Sequence, residues 1–221
     1  MDDHLKKKMN FDVPRDPTRN KSFLIWEDTY FELIKIVNDI KPKNFLEIGV
    51  AGGQNILNLS KYTQVNSFIG VDSYDPKSWD MSRDMIINNF GNFDNLYFEV
   101  NNLLEKLTFG RTKLIRKRSI QAAQEIKNKS IDCIFIDADH SFRSVFKDII
   151  FWFPKVSKNG YLMGHDYNHP THIGTTKAVK LLLGRVLLGA DNSYIWFINI
   201  NHISKFRKIL LKILNYIVKF F

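Results

Sequence analysis

The sequence predicts an α/β fold, a mostly parallel seven-stranded sheet between two helical layers with an antiparallel last strand. Three observations predict it. Short apolar runs of strand length alternate along the chain with amphipathic helical stripes. The run at residues 131–136, Ile-Asp-Cys-Ile-Phe-Ile, is apolar enough to lie inside a parallel sheet. Polar clusters fall at or just after strand ends: Glu47 with its glycine loop, Asp72, Asp137 to His140, and His165 to Tyr167. Open parallel sheets bind ligands beyond the carboxyl ends of their strands, so one shared cleft accounts for all four clusters.

The elements follow in order. Residues 1–22 are polar, carry Pro14 and Pro17, and read as an N-terminal arm. Residues 23–40 read as a helix capped by Ser22, with Trp26, Tyr30, Leu33, Ile34 and Val37 on one stripe and Lys41-Pro42 ending it. The first strand is 45–48, and a helix begins with Ile56, Leu57 and Leu59 beyond the glycine loop. The second strand, 67–72, ends on Asp72, one strand–helix–strand unit after Glu47. Residues 73–79 are a loop, 82–90 a helix, and 91–111 read as irregular or partly helical. A third strand at 113–116, a helix at 119–127, the fourth strand at 131–136 and a helix at 141–153 come next. Asn159-Gly160 reads as a turn, 161–163 as the fifth strand and 175–183 as a helix. Residues 185–188 and 194–200 close the sheet around a turn at Asp191-Asn192. The main domain thus spans 23–202, and 203–221 forms a basic amphipathic C-terminal helix.

Bulk properties narrow the class. The 221 residues are enough for one domain with a sizeable core, and 44% apolar with 25% charged residues is ordinary for a globular chain. The lone Cys133 sits in an apolar run and reads as a buried core thiol. The first twenty residues lack the apolar core of a signal peptide, and no apolar run approaches the roughly 20 residues that span a bilayer. A reducing, cytoplasmic location is the expectation. The net charge of +9 points to nucleic acid, an anionic membrane surface or an acidic substrate. Five of the basic residues, Lys205, Arg207, Lys208, Lys212 and Lys219, lie in 203–221 without an acid, which weakens a nucleic-acid reading of the main domain.

The stretch 44–55, NFLEIGVAGGQN, is the centre of the cleft. Glycines serve where a strand turns tightly and a ligand approaches the backbone. The free N–H groups of the following helix favour a carboxylate or phosphate. The dinucleotide pattern G-x-G-x-x-G is not met, since the loop reads Gly49-Val50-Ala51-Gly52-Gly53.

Taken together, these residues resemble the class I S-adenosylmethionine-dependent methyltransferases, whose fold is Rossmann-like. Within them the chain looks like the small-molecule O-methyltransferases related to the macrocin and caffeoyl-CoA enzymes. The resemblance covers about residues 23–200. It rests on Glu47-x-Gly49-x-Ala51-x-Gly53, with Ala51 where the family often has glycine, on Asp72, on residues 134–142 (IFIDADHSF), and on Gly164-His165-Asp166-Tyr167. It implies S-adenosyl-L-methionine as cofactor. The backbone of Gly49, Ala51 and Gly53 would hold the methionine carboxylate and Asp72 the ribose hydroxyls. Ser119 would contact adenine, Asp137 would lie at the cofactor, and Glu47 would either brace the loop or touch the cofactor.

A hydroxyl acceptor must lose its proton, through a general base or a cation that lowers its pKa. The resemblance implies a divalent cation, magnesium or manganese, held by Asp137 and Asp166. Where relatives add an Asp or Asn, this chain offers His165, a softer ligand more usual for zinc, iron or manganese. Asp139 is the family-like candidate base, and His140 and His165 are its rivals because neutral imidazole suits proton abstraction near neutral pH. Tyr74, Trp79 and His169 to His172 lie on loops placed to cover the acceptor, with plain loop packing the favoured reading for any one of them. The acceptor is read as a small molecule, a sugar or glycan-precursor hydroxyl. The rival readings are a nucleic-acid methyltransferase, with basic residues lining the cleft mouth, and a non-catalytic membrane-associated binding module, with no base near the methyl group.

The tail carries a stripe of Ile203, Phe206, Ile209, Leu210, Ile213, Leu214, Ile217 and Val218, with its lysines mainly off the stripe. Contact with an anionic membrane at its inner face, or with a partner such as a second subunit in a homo-oligomer, is favoured over docking on the chain's own domain.

Overall fold

The computed structural model describes residues 27–78, 83–190 and 193–218. The arm at 1–22, the Ser22 cap, Trp26, Trp79 and the turn at Asp191-Asn192 lie outside these residues. The elements run α1 (Glu27–Ile40), β1 (Asn44–Ile48), α2 (Gln54–Tyr62), β2 (Ser67–Asp72), α3 (Arg83–Phe90), α4 (Phe93–Leu107), β3 (Thr112–Arg116), α5 (Ser119–Glu125) and β4 (Ile131–Ile136). They continue with α6 (Phe142–Trp152), β5 (Val156–Gly164), α7 (Ile173–Leu182), β6 (Leu187–Leu188), β7 (Trp196–Asn199) and α8 (Lys205–Val218). The seven strands lie in the order β3-β2-β1-β4-β5-β7-β6. Neighbours pair in parallel except at β7, which runs antiparallel to both β5 and β6. The order reverses between β1 and β4, so their carboxyl ends flank the crevice where such sheets bind ligands.

Alternating strand residues feed two separate cores, as the two-residue period of a pleated strand requires. Phe45, Phe68, Cys133, Phe135 and Met163 pack on one side against α1 to α4. Leu46, Ile48, Ile134, Ile136 and Leu162 pack on the other against α5 to α8. Cys133 is fully buried against Met163, with its thiol held in the neutral form by burial.

Three expectations change. Residues 93–107, inside the stretch read as irregular or partly helical, are one continuous helix capped by the Asn92 side chain, which accepts from Asn95 N at 2.8 Å. Its buried residues Phe93, Leu96, Val100 and Leu104 follow helical spacing, but the exposed Phe98 interrupts the apolar pattern in the sequence. Asn159-Gly160 lies inside β5, where the pairing register with β4 shifts, and the extra residues are absorbed as a bulge. The C-terminal helix docks on the domain instead of standing free. Leu211 is fully buried, and Asn215 Nδ2 donates to Ile150 O at 2.9 Å. Leu211 is not part of the stripe read from the sequence.

Candidate active site

The first half of the cleft is built by backbone. At the end of β1, Gly49 has φ +90°, and a Cβ there would lie 2.0 Å from Asp137 O. Its N–H donates to Val71 O at 2.9 Å, while Asp137 N donates to Ile48 O at 2.8 Å. No side chain fits between these strand ends. Ala51 (φ +48°) and Gly53 (φ +81°) also adopt left-handed backbone before α2 begins. Ala51 therefore carries strain that a glycine would not.

Two buried acids hold this loop. Asp72 Oδ2 accepts from Ala51 N at 3.0 Å and Oδ1 from Tyr74 N at 2.9 Å. Each carboxylate oxygen can accept more than one hydrogen bond. Tyr74, favoured as a loop-packing residue, is fully buried and donates its hydroxyl to Ala51 O at 2.9 Å, bracing the loop. Glu47 is 1% exposed, and its Oε1 accepts from Asn55 Nδ2 at 2.6 Å. Burial pushes the Glu47 carboxyl well above the ordinary carboxylate range, against the Asn55 hydrogen bond, and nearby Asp137 and Asp72 push it further. Its Oε2 is buried and receives no hydrogen bond. An acceptor left without a donor costs stability unless a ligand supplies one. The ammonium of a methionine-type ligand is such a donor.

The second half is built by side chains that topology brings together. Asp137 ends β4, His165 and Asp166 follow β5, His140 precedes α6, and His172 precedes α7. All converge on the buried Asp166, which sits at φ +62°. Its Oδ1 lies 2.9 Å from His172 Nδ1 and 3.3 Å from His165 Nδ1, and its Oδ2 lies 2.6 Å from His140 Nδ1. Burial raises the Asp166 carboxyl, but the contacts from His140 and His165 outweigh it and hold it well below the usual carboxylate range. Burial lowers the His140 and His165 imidazoles, and Asp166 with Asp137 overcomes this and raises both. Burial likewise raises Asp137, which has His165 Nδ1 at 3.8 Å. His140 stacks on His172 with ring centroids 4.2 Å apart, and His169 stacks on the far side of His172 at 4.4 Å. Four of the chain's six histidines thus share one end of the cleft.

Asp139 stands apart from this cluster. Its carboxylate accepts from Ser141 N at 2.8 Å and from Ser144 Oγ at 2.7 Å, so it braces the turn into α6, whose N-cap is Ser141. Burial raises its carboxyl, but these bonds outweigh it and lower it, which makes Asp139 a poor base. Asp139 thus differs from His140, whose Nδ1 meets Asp166 Oδ2. Ser119 is also committed: its hydroxyl bonds Asp148 and accepts from Trp152 Nε1 at 2.8 Å. A contact from this residue to adenine would have to come from its backbone.

Two sets of ligand atoms lie within 4.8 Å of one another and suit a cation: Asp137, His165 and Asp166, as expected, and His140, Asp166 and His172. The buried Asp166 belongs to both sets, with its Oδ2 2.6 Å from His140 Nδ1. Mixed imidazole and carboxylate donors fit a borderline transition ion better than magnesium. Sequence reading missed the positioning parts. Gly174 lets α7 approach, since a Cβ there would lie 2.4 Å from Phe142 N. Tyr194 meets His165 and His169 edge-on, at centroid distances of 6.2 and 4.7 Å. No local motif marks either residue.

A family model described as a methyltransferase domain matches residues 46–167, more than half of the chain. A search of curated proteins by sequence found no match. Among solved structures, the calicheamicin methyltransferase CalS11 is 14% identical with a TM-score of 0.59, covering 90% of each chain. A Staphylococcus aureus protein assigned as a caffeoyl-CoA O-methyltransferase is 13% identical with a TM-score of 0.58, covering 78% of this chain and 83% of its own. Spermidine synthase from Thermotoga maritima is 16% identical with a TM-score of 0.51, covering 84% and 66%. At such identities these likenesses speak for the fold alone, and the last shows that this fold hosts other transfers too.

Proposed function

The chain belongs to the methyltransferase-domain family, and on that premise we propose that it methylates a hydroxyl of a small molecule, a sugar or glycan precursor. Its cofactor is S-adenosylmethionine, which supplies the methyl group as an electrophilic sulfonium. The observation that carries the proposal is the meeting of two unlike half-sites across the β1/β4 switch point. A glycine loop with buried acids faces a cluster of histidines around one carboxylate.

The residues divide the work. The tight loop at Gly49, Ala51 and Gly53, whose own N–H groups bond Val71 O, Asp72 and Val50 O, brings the carboxylate end of the cofactor to the N-terminus of α2, Glu47 Oε2 accepts from its ammonium, and Asp72 accepts from its ribose. Asp166 orients His140 by its Nδ1, which leaves Nε2 to take the acceptor proton, as a carboxylate-held imidazole does in other acyl and group transfers. Asp137, His165 and Asp166 are the residues that would hold a divalent ion, which would lower the pKa of an acceptor oxygen. Holding acceptor and methyl donor together supplies much of the rate.

Transfer to oxygen draws support from a neighbour of like fold assigned as a caffeoyl-CoA O-methyltransferase, and the sugar hydroxyl is the narrower part of the proposal. The nucleic-acid alternative expects unpaired basic residues at the cleft mouth, whereas Arg116, Lys117 and Arg118 at the end of β3 pair with Asp94, Glu125 and Asp75. A binding module without chemistry expects no base there, whereas His140 stands beside Asp166.

Two measurements test the proposal. Calorimetry is expected to register S-adenosylmethionine binding; binding of NAD in its place would reject the cofactor reading. Incubation with S-adenosylmethionine and a panel of sugar nucleotides and glycan precursors is expected to give a product heavier by one methyl, sensitive to chelation and restored by manganese or zinc. Turnover indifferent to chelator would reject the ion.

A further inference from the structure

The two helical layers differ in charge. Helices α1 to α4 carry eight acids and four bases. On the opposite face, α6 and α7 carry two bases each and α8 carries four, against two acids, Glu125 of α5 and the buried Asp148. The molecule is therefore electrically polarised across its sheet, with the positive side on the α6–α8 layer.

That layer also exposes apolar side chains. Helix α8 spends one arc on docking: Leu211 is buried, Leu214 and Val218 pack beside it, and Arg207 bonds the Lys180 and Leu181 carbonyls at the end of α7. The outward arc holds Phe206, Ile209, Ile213 and Tyr216, exposed by 76, 57, 49 and 68%. Their spacing of three and four residues aligns them on one side of the helix. Lys205, Lys208 and Lys212 run along one flank of this arc. The neighbouring α7 exposes Ile173 and Leu181 together with Lys177 and Lys180. A docked helix has no structural need for a second apolar arc.

We propose that the α6–α8 layer seats on an anionic lipid surface, with the outer arc of α8 in the headgroup boundary. A basic amphipathic helix with aromatic and aliphatic residues on its apolar arc binds in that manner. Each lysine or arginine near such a surface adds attraction of about 1 kcal/mol. A second copy of this chain fits the arc less well. Two-fold pairing through α8 would set Lys205, Lys208 and Lys212 against their own counterparts, with no acid in the helix to pair them. The arrangement has a consequence for the site. Helix α7 starts next to His172 and ends against α8, and its ten residues span about 15 Å. The histidine end of the cleft would then lie one helix length from the lipid.

Flotation of the full chain tests this. Vesicles of three parts phosphatidylcholine to one part phosphatidylglycerol are expected to carry the protein upward, and pure phosphatidylcholine vesicles are not. The attraction should fade as salt shortens the screening length. Phe206→Ser with Ile213→Ser, and separately Lys205→Glu with Lys212→Glu, should each lower partitioning by roughly tenfold or more. Both pairs should leave the melting temperature and S-adenosylmethionine affinity unchanged, which separates this outcome from a failure of the cofactor assignment. Absence of flotation, equal flotation on neutral vesicles, or flotation indifferent to the apolar pair would overturn the proposal. So would a dimer in sedimentation that the apolar pair dissolves while flotation is absent.

Discussion

The two halves of the cleft are made of different material. On the β1/β2 side the backbone shapes the site, and the acids Glu47 and Asp72 both face the cofactor and fix its loop through hydrogen bonds to Asn55, Ala51 and Tyr74. On the β4/β5 side the site is built by side chains from four separate elements, gathered on Asp166. A backbone site tolerates little change in shape and much change in outward side chains. A side-chain site is the reverse. The first half suits a fixed cofactor, and the second suits proton transfer and acceptor choice.

The largest expected break comes from Gly49→Ala. Its Cβ would meet Asp137 O at 2.0 Å in a backbone conformation L residues rarely adopt. A loss of about 3 kcal/mol of stability or more, with cofactor binding abolished, is expected by thermal melting and calorimetry. Gly174→Ala, on the other side, should damage turnover more than cofactor affinity, since it displaces α7 from His140 O and Phe142 N.

His140→Ala separates the halves most cleanly. Turnover should fall by about 10²–10⁴-fold, the usual worth of a positioned base. Asp139→Ala should cost about 1 kcal/mol of stability through the hydrogen bonds lost to Ser141 and Ser144, and under tenfold in turnover. Comparable losses from the two variants would return Asp139 to the role of base.

Asp148 tests the layer beneath the site. Burial, against a hydrogen bond from Ser119, pushes its carboxyl up to about 7. An acid whose folded pKa is raised stabilises the fold fully below its unfolded value near 4. That contribution is lost as pH rises through about 7. Asp148→Asn keeps an acceptor for Ser119 and removes the charge. The wild type should lose stability between pH 4 and 7 relative to the variant, which should be the more stable at pH 8 by about 1–3 kcal/mol. Parallel pH profiles in denaturant melts would contradict this.

Legibility in the sequence follows the same division. The strands, the glycine loop and the acids at strand ends could be read because each is a local pattern of spacing. The antiparallel closing strand and the placement of Asp72, Asp137 and Asp166 on one edge followed from alternation. What escaped was non-local. Tyr74 looks like a loop aromatic until its hydroxyl is found on Ala51 O. Asp139 looks like a base until Ser141 and Ser144 occupy it. The α4 helix was masked by outward aromatics. The C-terminal stripe combined a docking edge and an exposed arc that no periodicity can part, because Leu211 and Ile213 differ only in what faces them.

Titration of S-adenosylmethionine into the wild type, Asp72→Asn and His140→Ala tests the division of labour most directly, and it needs no knowledge of the acceptor. Asp72→Asn should weaken binding by roughly 10–100-fold, the worth of charge-assisted hydrogen bonds to the ribose. His140→Ala should bind within about twofold of the wild type. Equal weakening in the two variants, or wild-type affinity in Asp72→Asn, would contradict a cleft whose one half holds the cofactor and whose other half does the chemistry.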